Sequence, residues 1–196
     1  MKRDVLAKPL NSSFLSCERD TETILRKLFI DSRQHSKTLK RLLVITNKDC
    51  LVDESNPEYK KVDDMSLKQL IDNGYIVLSP VEKNEEYEKL KAAIVLSFND
   101  FIPNGTNPEF RDCSVCIDVI CNTECWSLTD YQQRPFKILG YIDGILNNTK
   151  LSGIGELHFL GCSGPVIDEN IGMFSMVYRA VHGSDDIIPD EEYDGI

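Results

Sequence analysis

The sequence predicts an α+β fold, and three observations predict it. Residues 114–121 alternate as a half-buried strand does. Val115, Ile117, Val119 and Cys121 share one face, while Ser114, Cys116, Asp118 and Asn122 share the other, with Ile120 as the exception. Residues 134–148 then read as an amphipathic helix. Pro135 suits its first turn, where a missing N–H costs nothing, and Ile138, Ile142 and Ile145 form an apolar stripe flanked by Leu139, Tyr141 and Leu146. Asn147 and Asn148 end it. Two more strands follow, at 155–160 with Leu157 and Phe159 on one side, and at 171–181 with Phe174, Met176 and Tyr178 on one face. Residues 161–170 read as the turn between them, and Gly153 and Gly155 as the bend between helix and strand.

The preceding chain supplies shorter elements. Residues 1–17 lack periodicity and read as an extended arm. From 18 to 45, Ile24, Leu25 and Leu28, then Leu39, Leu42 and Leu43, recur at helical spacing, which predicts one or two helices capped near Asp20 or Thr21. Residues 46–66 are polar and read as a loop. A short helix at 67–71 is capped by Asp64 or Ser66 and stopped by Asn73 and Gly74. Strands are expected at 75–78 and 92–98, an exposed charged run at 82–91, and a long loop at 99–112, which holds two prolines. The tail from 184 to 196 carries six acids and is expected to move unless a partner holds it. Three regions result: a basic arm with helices (1–50), an α+β core (51–184) and an acidic tail (185–196).

Composition narrows the class. A chain of 196 residues, 41% hydrophobic, buries one core. No apolar run reaches the roughly 18–20 residues that span a bilayer, and the N-terminus has no apolar signal region. Seven cysteines, an odd number without a secretion signal, predict reduced thiols in a cytoplasm. Residues 1–48 hold eleven Lys/Arg against five Asp/Glu, whereas the remainder holds eleven against 27. An acidic body repels nucleic acid, so sequence-specific binding of DNA or RNA is not expected. A basic arm suits docking onto an acidic neighbour, including another copy; a solvated Lys-rich helix face is the plainer reading.

Candidate chemistry is thin. Cys113 and Cys116 have the Cys-x2-Cys spacing of half a zinc site, but strand alternation points them to opposite faces, and no second pair exists. The segment Gly161-Cys162-Ser163-Gly164-Pro165 superficially resembles the serine-nucleophile segment of trypsin-like proteases. It lacks the preceding Asp, and His35, His158 and His182 sit in no suggestive motif. Gly153-Ile154-Gly155 lacks the third glycine of a nucleotide fingerprint. Asp168-Glu169 and Asp185-Asp186 read as solvated acids. No catalytic residue, cofactor or metal is expected.

The order of elements, with the strand Val115-Cys-Ile-Asp-Val-Ile, the helix opening Arg134-Pro-Phe-Lys-Ile-Leu-Gly-Tyr and the closing strand Met173-Phe-Ser-Met-Val-Tyr-Arg-Ala-Val, resembles the tail-terminator and neck-ring proteins of tailed bacteriophages. The likeness covers roughly residues 74–183; the basic helical extension before residue 50 departs from the minimal unit. The resemblance implies a mostly antiparallel sheet with helices packed on one face. It also implies a ring-forming structural protein that joins portal or adaptor to tail in the virion, after assembly in the host cytoplasm, without chemistry. Its partners would be other copies of itself and neighbouring portal, adaptor or tail proteins. DNA would pass through the ring without sequence-specific binding, and no membrane would be involved. The alternatives are a cysteine-dependent enzyme and a soluble adaptor that binds through the N-terminal helices.

Overall fold

The computed structural model describes residues 17–52, 56–78, 92–106, 111–168 and 170–182. The expected arm before residue 17, the charged run at 82–91 and the acidic tail lie outside the described residues. The elements are α1 (Cys17–Arg26), a π turn (Lys27–Asp31), α2 (Gln34–Val44), α3 (Pro57–Asp63), α4 (Leu67–Asp72), β1 (Ile76–Val77), β2 (Ala92–Pro103), β3 (Arg111–Asn122), α5 (Arg134–Leu146), β4 (Thr149–Leu151), β5 (Gly155–Asp168) and β6 (Ile171–His182).

Six strands form one sheet in the order β1-β2-β3-β6-β5-β4. Among the described residues only the β1–β2 pair is parallel; the other pairs are antiparallel. Strand β3 sits at the centre and keeps its expected alternation. Val115, Ile117, Val119 and Cys121 face the helices in the main core. Ile120 points the other way, into a small cluster with Ala93 and Val95. The predicted α+β class, with helices on one face of a mostly antiparallel sheet, is the observed one.

The helix stripes find that face. Ile24, Leu25 and Leu28 from the first helical segment, Leu39, Leu42 and Leu43 from α2, and Ile138, Ile142 and Leu146 from α5 join Phe174, Met176 and Tyr178 in one core. Each such side chain contributes roughly 1.5–3 kcal/mol on full burial, which outweighs the modest helix propensity of these short segments. Helix α1 begins at Cys17, earlier than its expected cap. Asp20 therefore lies inside the helix, fully buried, with Arg19 Nε 3.8 Å from its carboxylate.

Three other boundaries differ from expectation, each for a local reason. The polar stretch 46–66 contains α3, because Asn56 accepts a hydrogen bond from the Glu58 amide and Pro57 opens the first turn. Tyr59 and Val62 then give the helix a buried side. Strand β2 runs on through Pro103, past a register break between Asn99 and Ile102 where Asp100 adopts φ 56°. Strand β5 continues through the segment expected to turn and reaches Asp168, with breaks at Phe159/Gly161 and Ser163/Val166. Glycine and proline in that segment mark bulges on an outer strand, where a lost ladder bond is tolerated. The expected cap of α4 is present: Ser66 Oγ accepts from the Gln69 amide, and Gln69 Oε1 accepts from the Ser66 amide.

The basic residues of α2 are partly used inside the molecule. Arg41 donates two bonds to the Asp63 carboxylate, at 2.8 and 2.7 Å, and lies over the Tyr59 ring. Lys40 Nζ donates to the carbonyls of Asp63 and Met65, at 3.0 and 2.7 Å. Both side chains hold the C-terminal end of α3, where exposed carbonyls favour a cation. Burial lowers the Lys40 pKa, opposed by the nearby Asp63 and Asp64.

Candidate assembly surface

The sequence offered cysteines as candidate nucleophiles or ligands, and the fold separates them. Cys113 and Cys121 are buried on the helix side of β3, while Cys116 is half-buried on the other side. Cys50 and Cys125 are buried, and Cys162 is exposed on β5. Among the described residues, no three His, Cys, Asp or Glu side chains gather to hold a metal ion.

Burial pushes the thiols of Cys17, Cys50, Cys116 and Cys162 upward, and that of Cys121 up to about 12. A nucleophilic cysteine needs the opposite shift, because the thiolate does the chemistry. His35 and His158 are engaged otherwise. His35 packs against the Tyr141 ring, and His158 Nδ1 lies 3.4 Å from Asn148 Oδ1. The Gly161–Pro165 segment lies within strand β5.

What the fold does present is sheet edge. Strand β4 pairs with Gly155, Glu156 and Leu157 and then ends. Beyond it, β5 from 158 to 168 pairs only with β6 among the described residues; the Phe159 amide donates to Asn147 Oδ1, and no strand lies beside the outer side of β5 from 160 onward. Four large apolar side chains stand exposed there: Phe159 (39%), Leu160 (59%), Val166 (60%) and Ile167 (62%). The opposite side of the sheet repeats this. Strand β1 pairs with Ile94 and Val95 alone, so among the described residues no further strand lies beside β2 from 96 to 103, and Ile102 is exposed.

Local sequence shapes the β5 edge. Gly164 has φ +121°, and a Cβ there would come within 2.7 Å of the Met173 carbonyl oxygen, so only glycine fits. Pro165 follows at the second break, where an amide is not needed for the β6 ladder. Sequence reading missed this surface because it took these residues for a turn. The available signal was the apolar content on both flanks, Phe159-Leu160 and Val166-Ile167.

Fold and surface together define an α+β protein with a helix-covered sheet and, among the described residues, two edges without a full flanking strand, one of them lined by exposed apolar side chains. A family model described as YomW matches residues 36–180, and the chain belongs to that family. The match takes in α2 and nearly the whole sheet. No curated protein matches the chain. Among solved structures, it is similar to a chain in the "Virion of native gene transfer agent (GTA) particle", at 14% identity and a TM-score of 0.41. That likeness covers 63% of this chain and 90% of the other.

Proposed function

We propose that this protein is a structural component of a phage-type virion, a ring-forming subunit of the head–tail connector or tail terminator that joins portal or adaptor to tail. The observation that carries the reading is the open outer edge of β5 with its exposed apolar residues. Unpaired backbone and exposed apolar side chains together invite association, and soluble monomers usually blunt such edges with charge. Membership of the YomW family, of phage type, supports the coarser part of the reading.

The ring would be built by heterologous contacts closing through rotational symmetry, with other copies and neighbouring connector or tail proteins as partners. The acidic body, with eleven Lys/Arg against 27 Asp/Glu beyond residue 48, suits a channel through which DNA passes without sticking. The raised thiols disfavour the cysteine-enzyme alternative at neutral pH.

Size-exclusion chromatography with mass measurement on the full chain tests the reading, alone and with portal protein. A defined closed oligomer is expected. A monomer under every condition, with a thiol-dependent activity, would overturn the proposal.

A further inference from the structure

The two open edges belong to one sheet, and their directions and lengths match. We propose that the outer edge of β5 in one copy pairs with the outer edge of β2 in the next copy, so that the sheet continues from subunit to subunit. This rests on the ring reading above and names the surface that builds the ring.

Direction comes first. From β2 through β3 and β6 to β5, every neighbour is antiparallel, so β5 runs opposite to β2. A second copy set edge-on, with its helices on the same side, therefore presents β2 antiparallel to β5. Such pairing supplies both ladders with their missing partners.

Length agrees. Among the described residues, no strand lies outside β5 over 160–168 or outside β2 over 96–103, nine positions against eight. The two short strands that limit them lie at opposite ends of the joint. Strand β4 flanks the start of β5 and would abut the end of the incoming β2 near Pro103. The incoming copy's β1 flanks the start of its β2 and would abut the end of β5 near Asp168. Each short strand fills the step left by the other, as in a half-lap joint.

Charge favours a second copy as the occupant. Copies of a chain at net −10 repel over most of their surface. Residues 160–168 carry one charge, Asp168 at the end, and residues 96–103 carry one, Asp100. The meeting edges are thus nearly free of opposed carboxylates. Both edges also carry bulges, which discourage pairing with an arbitrary regular strand. A β5–β5 contact would close as a two-fold dimer and leave both β2 edges open, so ring growth requires the β5–β2 joint.

The test uses exposed Cys162 on β5 and an Ile102→Cys substitution on β2, both surface positions. In the joint the two thiols lie a few residues apart along paired strands, roughly 10 Å at about 3.3 Å per residue. A bis-maleimide of that span is added to the full-length variant. A ladder of covalent multimers is expected, abolished by adding Cys162→Ser. Leu160→Lys with Val166→Lys, which leaves the core untouched, is expected to reduce the assembled mass to monomer.

Intact rings by mass without the ladder would overturn the joint while leaving the ring reading in place. Covalent dimers that need Cys162 but not Ile102→Cys would also overturn it, in favour of the two-fold contact. A ladder without closed rings would uphold the joint and sink the ring. No assembly and no ladder would sink both.

Discussion

The guanidinium of Arg134 donates to the carbonyl of Leu42 at 2.7 Å, joining two helices across 92 residues of sequence. The same side chain also reaches the carbonyls of Ile45, Thr46 and Asn47, and its Nε donates to the carbonyl of Cys125. Arg134 is almost fully buried. Its planar fork gathers the orphan carbonyls at the end of α2 and after it, where the helix dipole favours a cation.

Replacing that fork should be costly. Arg134→Met leaves five carbonyls, two of them in buried and three in part-buried bonds, without this donor, and a loss of about 3–5 kcal/mol is expected. Arg134→Lys keeps the charge but offers one compact head, so roughly 2–4 kcal/mol should still be lost. Urea unfolding with an unchanged m-value checks both, and a loss below about 1 kcal/mol would refute the role.

The helix caps give smaller, cleaner effects. Ser66→Ala removes the acceptor for the Gln69 amide, and Asn56→Ala the acceptor for the Glu58 amide. Each should cost about 1 kcal/mol. Glycine at either position should recover most of that loss, because glycine is itself a tolerated cap.

Gly172 touches Trp126, the single tryptophan of the chain, and an added Cβ would press into the indole six-membered ring. Gly172→Ala should displace the ring at a cost of about 1–3 kcal/mol. Tryptophan fluorescence and near-ultraviolet dichroism should both change. An unchanged spectrum with unchanged stability would contradict the packing.

Alkaline pH should weaken the fold. Cys121 is held as a neutral thiol up to about 12, against an ordinary 9.0, because burial disfavours the thiolate. Tyr178 shifts the same way through burial and the hydrogen bond its hydroxyl donates to Asp143 Oδ1. Between about pH 9 and 12 the unfolded chain releases a proton that the folded chain keeps, so stability falls as pH rises. Below about pH 9 Cys121 adds no pH dependence. Each such group contributes a slope of at most about 1.4 kcal/mol per pH unit. Thermal midpoints from pH 8 to 11 should decline, and less steeply in Cys121→Ala.

Elements with a strong period were legible in the sequence. The alternation of β3, the stripe of α5 behind Pro135 and the cap of α4 all stand as read. Elements whose reason lies elsewhere in the chain were not. Helix α3 has its start written locally in Asn56 and Pro57, but its C-terminal end is held by Lys40 and Arg41 from α2, which read locally as a solvated basic face. Arg134, charged and next to a proline, gave no sign of burial. The open edges were hidden for a similar reason. Which strand lies outermost is a property of topology, and Gly161, Gly164 and Pro165 suggested a turn where an irregular outer strand runs.

The proposed function puts the chain in a virion's neck or tail. Immunogold labelling of intact particles, using antibody against the full chain, tests it most directly. Gold at the head–tail junction is the result expected. Particles free of label, from lysates in which the protein is abundant, would contradict it.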